Sequence, residues 1–382
     1  MSGQVLAPAG RVPMAGLAGW VFGARNRLLA SPRFQRWASA FPLTRPIARR
    51  RARGLFDLCA GFVYSQVLLA CVRLRLFEAL LDGPRTVAQL AATMALPPDA
   101  ACRLLEAAAA LELTERRRDG RYGLGVLGAA LTANQGVAAM IEHHALLYAD
   151  LRDPVALLRG EQPDTALGRL WPYAAGQSPG QLGASDVAAY SILMARSQPL
   201  VAADVLAAYP LDRHRCLLDL GGGDGTFLTE AAAAAPGLKL MLFDLPAVAQ
   251  RAKQRLAAAG LAGRSQVFGG DFRTDALPMG ADVISLVRVV HDHGDESARA
   301  ILTAAWQALP SGGTLLLAEP MAGTPEAPGV EAYFAFYLLA MGSGRPRRSR
   351  ELSDLLYAAG FTAVRPVTTR RPMQVRVLVA TK

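Results

Sequence analysis

Apolar residues along the chain follow two regimes that change near residue 213. Before that point they recur at helical spacing or fill whole helical turns; after it, runs of strand length alternate with alanine-rich helical stretches. The second regime opens with Cys216 to Phe227, CLLDLGGGDGTF, in which an apolar run leads into Asp219 and Gly221, Gly222, Gly223 and Gly225 crowd a turn. A buried strand, a tight loop and a helix from Thr226 are predicted. LKLMLFDLP gives a second strand ending at Asp244, and SQVFGGDF a third ending in Asp271 and Phe272. ADVISLVRVVHDHGDE predicts a strand to about Val287, a loop with Arg288, His291, Asp292 and His293, and a helix from Gly294 or Asp295; a further strand ends at Glu319. Strands alternating with helices predict an α/β fold around a parallel sheet, with ligands at the carboxyl ends of the strands. Three successive strands bring an acid to that end. A lone strand-end Asp is usually a turn former or helix cap, and Asp244 before Pro246 has that reading too.

The first regime reads as helices. Leu55 to Leu81 predicts one long helix, apolar on most faces, for which a subunit interface is the natural cover. Next come a short helix, a Pro-Pro-Asp turn with Asp99 as cap, a second helix, and a hairpin turning at Asp119 and Gly120, which together outline a winged helix. DNA binding through Arg103 and the wing arginines Arg116, Arg117, Arg118 and Arg121 is one reading. The second helix, DAACRLLEAAAAL, lacks the polar residues that base edges require, so a structural winged helix that binds no nucleic acid is favoured. The stretch 136–160 carries His143, His144 and Tyr148 in a helical pattern. Adjacent histidines cannot share a helical face, so no metal pair is expected; one could face a ligand, and a capping or surface role suits both. Trp171 to Gly183 reads as a Pro/Gly-rich loop and Ser185 to Ala208 as a helix joining two domains. The expected division is therefore a basic segment 1–54, a helical domain 55–212 and an α/β domain 213–382.

The 382 residues are 52% hydrophobic, enough for two cores, and the net charge of +10 is localised. Ten arginines lie between Arg11 and Arg53, whereas no Asp or Glu precedes Asp57. This head interleaves Trp20, Phe22, Leu28, Leu29, Phe34, Trp37 and Phe41 with arginine, the composition of a segment that lies on an anionic membrane surface. A disordered tail or a transit peptide would share it. No uninterrupted apolar run approaches ~20 residues, so no bilayer span is expected. Cys59, Cys71, Cys102 and Cys216 stand singly in apolar contexts, as core residues of a reducing compartment do. No secretory signal is recognisable, and a cytoplasmic location follows as the expectation.

The glycine loop fits neither register of the dinucleotide fingerprint, because Thr226 and Leu228 stand where its third glycine would be. It satisfies acidic-x-Gly-x-Gly-x-Gly through Asp219, Gly221, Gly223 and Gly225, and so resembles the donor loop of class I S-adenosylmethionine (SAM) methyltransferases. That resemblance implies a Rossmann-like sheet, with Asp244 on the ribose hydroxyls, Asp271 on the adenine amino group, Phe272 stacked on its ring, and Arg288 beside the donor. RVVHDHGDE resembles the R-V-L-H-D-W-x-D-E signature of small-molecule O-methyltransferases with an N-terminal winged-helix dimerisation domain. The likeness runs from Leu55 to Lys382. It implies a homodimer, His291 as the base that takes the acceptor proton, Glu319 as its support, S-adenosylhomocysteine as coproduct and no metal. From the residues alone, a helix-capping role for His291 and Asp292 is the lesser alternative. Pro346 stands where many members carry a second supporting glutamate, and His293 replaces the usual tryptophan.

Within that family, AGFVYSQVLLACVRLRLF and YFAFYLLAMGSGRPR look like the carotenoid branch, the hydroxyneurosporene or demethylspheroidene O-methyltransferases of purple bacteria; bacteriochlorophyllide C-methyltransferases are the neighbours most easily confused with it. A hydroxylated carotenoid acceptor and peripheral contact with the photosynthetic inner membrane follow as implications. GVEAYFAFYLLAMG places Tyr333, Phe336, Tyr337 and Met341 on one helical face, and these, with His143, are the expected acceptor-pocket residues, although such a stripe is also what a packed core shows.

Overall fold

The computed structural model describes residues 16–171, 183–325 and 327–382. The chain divides into two compact units, one ending at Ala70 and one running Cys71–Lys382.

In the first unit, α1 (Gly16–Ala30) and α2 (Pro32–Ala40) are separated by Ser31, whose hydroxyl caps α2 while Pro32 opens it. α3 (Arg45–Arg73) follows after a short turn and ends inside the second unit. The basic head, where described, is therefore helical. The helix expected over Leu55–Leu81 starts earlier, at Arg45, because the arginines and alanines around Gly54 are good helix formers that absorb the ~1 kcal/mol cost of one glycine. It also stops earlier. Arg75 takes φ +53°, and α4 (Leu76–Ala79) turns Leu76 and Phe77 into the core of the second unit. Contrary to the expectation from apolar runs, α3 is long and apolar enough by composition to cross a bilayer.

The second unit opens with the winged helix. α5 (Val87–Met94) starts with a Thr86–Gln89 capping box and packs on α6 (Pro98–Ala110). Pro97 is the cap residue and Pro98 the first helical residue, so Asp99 sits in the first turn instead of capping it. β1 (Thr114–Arg116) and β2 (Tyr122–Leu124) form the antiparallel wing, with Gly120 left-handed at its tip. α7 (Val126–Thr132), α8 (Gln135–Asp150), α9 (Pro154–Leu158), α10 (Ala166–Leu170) and α11 (Ala184–Ala208) lead to the sheet. Most of the expected Trp171–Gly183 loop lies outside the described residues.

The sheet takes β3 (Cys216–Leu220), β4 (Lys239–Asp244), β5 (Ser265–Gly269), β6 (Val283–Val287), β7 (Thr314–Glu319), β8 (Ala363–Val367) and β9 (Arg376–Thr381) in the order β5-β4-β3-β6-β7-β9-β8. All neighbours are parallel except β9, which runs antiparallel to β7 and β8. α12 (Thr226–Ala234), α13 (Pro246–Ala258) and α14 (Asp295–Ala308) make the crossovers, and α15 (Pro328–Met341) and α16 (Ser349–Ala358) follow β7. β3, β6 and β7 are buried at every position, as strands covered on both faces must be. The order reverses between β3 and β6, which opens a crevice at their carboxyl ends.

Candidate active site

Two buried anchors hold the loop after β6. The first is Glu319, 1% exposed at the end of β7. Its Oε1 accepts the backbone N–H groups of Val289 (3.1 Å) and Val290 (2.7 Å), and its Oε2 lies 2.5 Å from His291 Nδ1. A carboxylate removed from water is costly unless its lone pairs are met; three donors meet these. The second anchor is Arg347, fully buried, which donates to the carbonyls of Val290 (2.9 Å) and His293 (2.7 Å) and pairs with Asp295 at 2.7 Å. Arg345 N–H donates to the His291 carbonyl, and Gly344, at φ +81°, lies so close that a Cβ there would overlap that oxygen. His291 is thus gripped from both sides.

Its remaining nitrogen, Nε2, lies 3.1 Å from Asp292 Oδ1, and the edge of the ring meets Phe334 with centroids 5.7 Å apart. Burial disfavours the imidazolium, but the Asp292 and Glu319 carboxylates outweigh it and raise the His291 pKa above the ordinary histidine value. His293, by contrast, is held neutral by burial, down to about 4. Arg288 takes φ +59° and reaches α11, donating to Ser197 Oγ at 2.9 Å.

The glycine loop forms the other wall. Gly221, Gly222 and Gly223 line an open cleft of about 920 Å³ together with Asp244, Phe272 and Asp292. Gly223 takes φ +60°, has open space where a Cβ would point, and donates its N–H to Asp244 Oδ2 at 2.7 Å. Asp244 Oδ1 accepts Leu245 N–H, also at 2.7 Å. Burial pushes the Asp244 carboxyl up to about 7. Asp219 departs from the sequence expectation: its carboxylate lies beneath the loop, outside the residues lining the cleft, with Oδ1 accepting Ser285 Oγ–H at 2.6 Å. Its Oδ2 has no partner among the described residues and would touch a Cβ at Gly222. Burial pushes this carboxyl, too, up to about 7. Asp271 lies in the turn two residues beyond β5, and Arg273 forks onto its carboxylate (2.7 Å). Burial alone would raise the Asp271 pKa; the Arg273 bonds and charge reverse this and lower it.

The expected acceptor residues lie elsewhere. His143, Tyr333, Phe336, Tyr337 and Met341 do not line this cleft. His143 is buried with Nε2 2.8 Å from Tyr337 Oη, and His144 Nε2 lies 2.8 Å from Tyr333 Oη. The adjacent histidines therefore tie α8 to α15; they neither cap nor sit free on the surface. Burial lowers the pKa of both, that of His143 to about 4. Tyr337 and Met341 are buried in a hydrophobic cluster with Leu147, Leu167 and Trp171. Sequence reasoning passed over Asp292 as a partner of His291, Arg347 as the clamp on its loop, Phe334 as its apolar neighbour, and Tyr190 and Met194 of α11 as cleft walls. Only Asp292, inside the signature, carried a signal. Among the described residues no group of three His, Cys, Asp or Glu is placed to hold a metal ion.

Residues 148–362 match the model of the O-methyltransferase domain, and residues 56–134 that of the O-methyltransferase dimerisation domain. The chain belongs to the O-methyltransferase family. It is 47% identical over 361 residues to the demethylspheroidene O-methyltransferase of Cereibacter sphaeroides, spanning 93% of this chain and 94% of that protein. It is 41% identical over 360 residues to the demethylspheroidene O-methyltransferase of Rhodobacter capsulatus, spanning 93% and 88%. The solved structure of PigF with SAH superimposes at a TM-score of 0.70 with 25% identity, covering 86% of this chain and 99% of that one.

The O-methyltransferase uses SAM, and the cleft fits it. A loop bare of Cβ atoms permits close approach, Asp244 has lone pairs left for hydroxyls, and Phe272 offers a ring face. When bound, SAM supplies a methyl carbon already activated by its sulfonium. The chain has to align an acceptor oxygen with it, which is worth ~7–11 kcal/mol.

Four outcomes follow. His291→Ala lowers kcat ~10²–10⁴-fold while SAM affinity, measured by calorimetry, stays put. Because its carboxylate neighbours raise the His291 pKa, the acidic limb of the kcat–pH profile lies above the ordinary histidine value, with activity lost as pH falls through it; Asp292→Asn moves that limb down. Arg347→Met lowers kcat with little change in SAM affinity, and Arg347→Lys, which keeps the charge but not the fork, recovers only part. With Asp244 as the ribose acceptor, hydroxyl donors would favour its ionised form, and SAM binding is expected to release protons. Affinity therefore weakens roughly tenfold from pH 8 to pH 6. Calorimetry in buffers of different ionisation enthalpy reads the release, and Asp244→Asn abolishes most of it.

Proposed function

We propose that this O-methyltransferase methylates the hydroxyl of an acyclic carotenoid, the tertiary C-1 hydroxyl of a spheroidene-type precursor. The observation that carries the reading is likeness to two demethylspheroidene O-methyltransferases across 93% of the chain. The apolar neighbour of the base, Phe334, whose ring stands perpendicular to His291, supports a greasy acceptor. In this scheme Asp244 holds the ribose, Phe272 stacks on the adenine, Asp271 takes the adenine amino group with the capacity Arg273 leaves it, and Gly221 and Gly223 admit the methionine half.

His291 takes the hydroxyl proton at Nε2 as the oxygen attacks the methyl carbon and the carbon–sulfur electrons return to sulfur. Glu319 balances the imidazolium that results. The chain acts as a homodimer through the segment matched by the dimerisation model, 56–134, with SAM and acceptor handled by the α/β half from about residue 213.

The test is S-adenosylhomocysteine release from labelled SAM with detergent-dispersed 1-hydroxy acyclic carotenoids, set against a bacteriochlorophyllide. Turnover with the carotenoid that disappears in His291→Ala is expected. Turnover with the macrocycle alone would discard the acceptor while leaving the donor site intact.

A further inference from the structure

Residues 16–53 precede both family matches and contribute nothing to the site described above. Trp20 is 63% exposed, Phe22 55% and Trp37 51%, and Leu28, Leu29, Leu43 and Ile47 are exposed with them. On α2 the rings of Phe34, Trp37 and Phe41 run in contact along one face, Trp37 and Phe41 stacked with centroids 5.1 Å apart. Nine arginines, Arg25, Arg27, Arg33, Arg36, Arg45, Arg49, Arg50, Arg51 and Arg53, are all exposed among these side chains. Among the described residues no salt bridge engages any of them, and the stretch contains no Asp or Glu. Arg25 lies over the Phe22 ring, 4.9 Å from its centroid, so cation and aromatic present together.

Each possible cover has a chemical requirement. A second copy of the same surface would set nine arginines against nine with no acid between them, and the dimerisation match begins only at residue 56. A nucleic acid would satisfy the guanidiniums but leave Leu28, Leu29, Leu43 and Ile47 with nothing apolar to meet. An anionic bilayer surface offers both phosphates for the arginines and an acyl boundary for the tryptophans and leucines, at adjacent depths.

We propose that residues 16–53 form a docking surface for an anionic lipid bilayer, with the Trp and Leu side chains entering the headgroup–acyl boundary and the arginines meeting lipid phosphate. The inference rests on this surface alone and does not require the acceptor assignment.

The test uses the full-length protein with phosphatidylcholine vesicles, with and without phosphatidylglycerol. Co-sedimentation strengthens at least about tenfold with the anionic lipid and weakens as salt rises. Vesicle binding shifts tryptophan fluorescence to the blue. Trp20→Ser with Trp37→Ser abolishes the shift, and Arg49→Gln with Arg50→Gln and Arg51→Gln weakens sedimentation; SAM affinity is unchanged in both variants, which certifies their fold. Equal binding to both vesicle types, or none, overturns the proposal. So does displacement from vesicles by stoichiometric duplex DNA, or variants that lose dimer on gel filtration while still binding vesicles.

Discussion

The interaction on which the site depends is the buried contact between Glu319 and the loop after β6. One carboxylate at the end of a fully buried strand collects two backbone N–H groups and an imidazole nitrogen. Because β7 is held by β6 on one side and β9 on the other, the acid has no freedom of its own. It transmits the rigidity of the sheet to a loop that would otherwise be a mobile connection. Arg347 does the same from the opposite side, through carbonyls that flank His291. His291 is therefore located to within the tolerance of hydrogen bonds on a scaffold that the hydrophobic core supports.

Pro346 stands where the family resemblance would place a second supporting glutamate. Pro346 carries no side-chain acid, yet the residue after it brings a guanidinium that grips the main chain, and Asp292, next to the base in sequence, contacts the ring itself. These add one contact from Asp292 to the His291 ring and two from Arg347 to the main chain beside it.

What the sequence made legible is what local pattern determines. Apolar runs closed by Asp244 and Glu319 give strands β4 and β7, and the glycine spacing gives the loop. Where legibility failed, the cause was a contact distant in sequence or a helix boundary set by tertiary packing. His143 and Tyr337 are 194 residues apart, so no local pattern could show that they pair. Asp219 satisfied the motif, but the motif cannot say whether a carboxylate points up into a cleft or down beneath its own loop. α3 ran on through Gly54 because helix propensity is cumulative, and it ended only where Leu76 and Phe77 turned into the core.

The electrostatics around His291 suit the proposed acceptor for a physical reason. A tertiary alcohol is a very weak acid, so a proton leaves it only as the bond to the methyl carbon forms. Raising the basicity of the imidazole narrows the mismatch between donor and acceptor of that proton, and the two flanking carboxylates do this. The same carboxylates make the base easier to protonate beforehand, which would idle it. Burial opposes them by disfavouring the cation, and Arg288 adds a smaller push in the same direction. In the proposed scheme the site thus balances a stronger base against its availability, and the Asp292 carboxylate 3.1 Å from Nε2 is one of the two contacts that set this balance.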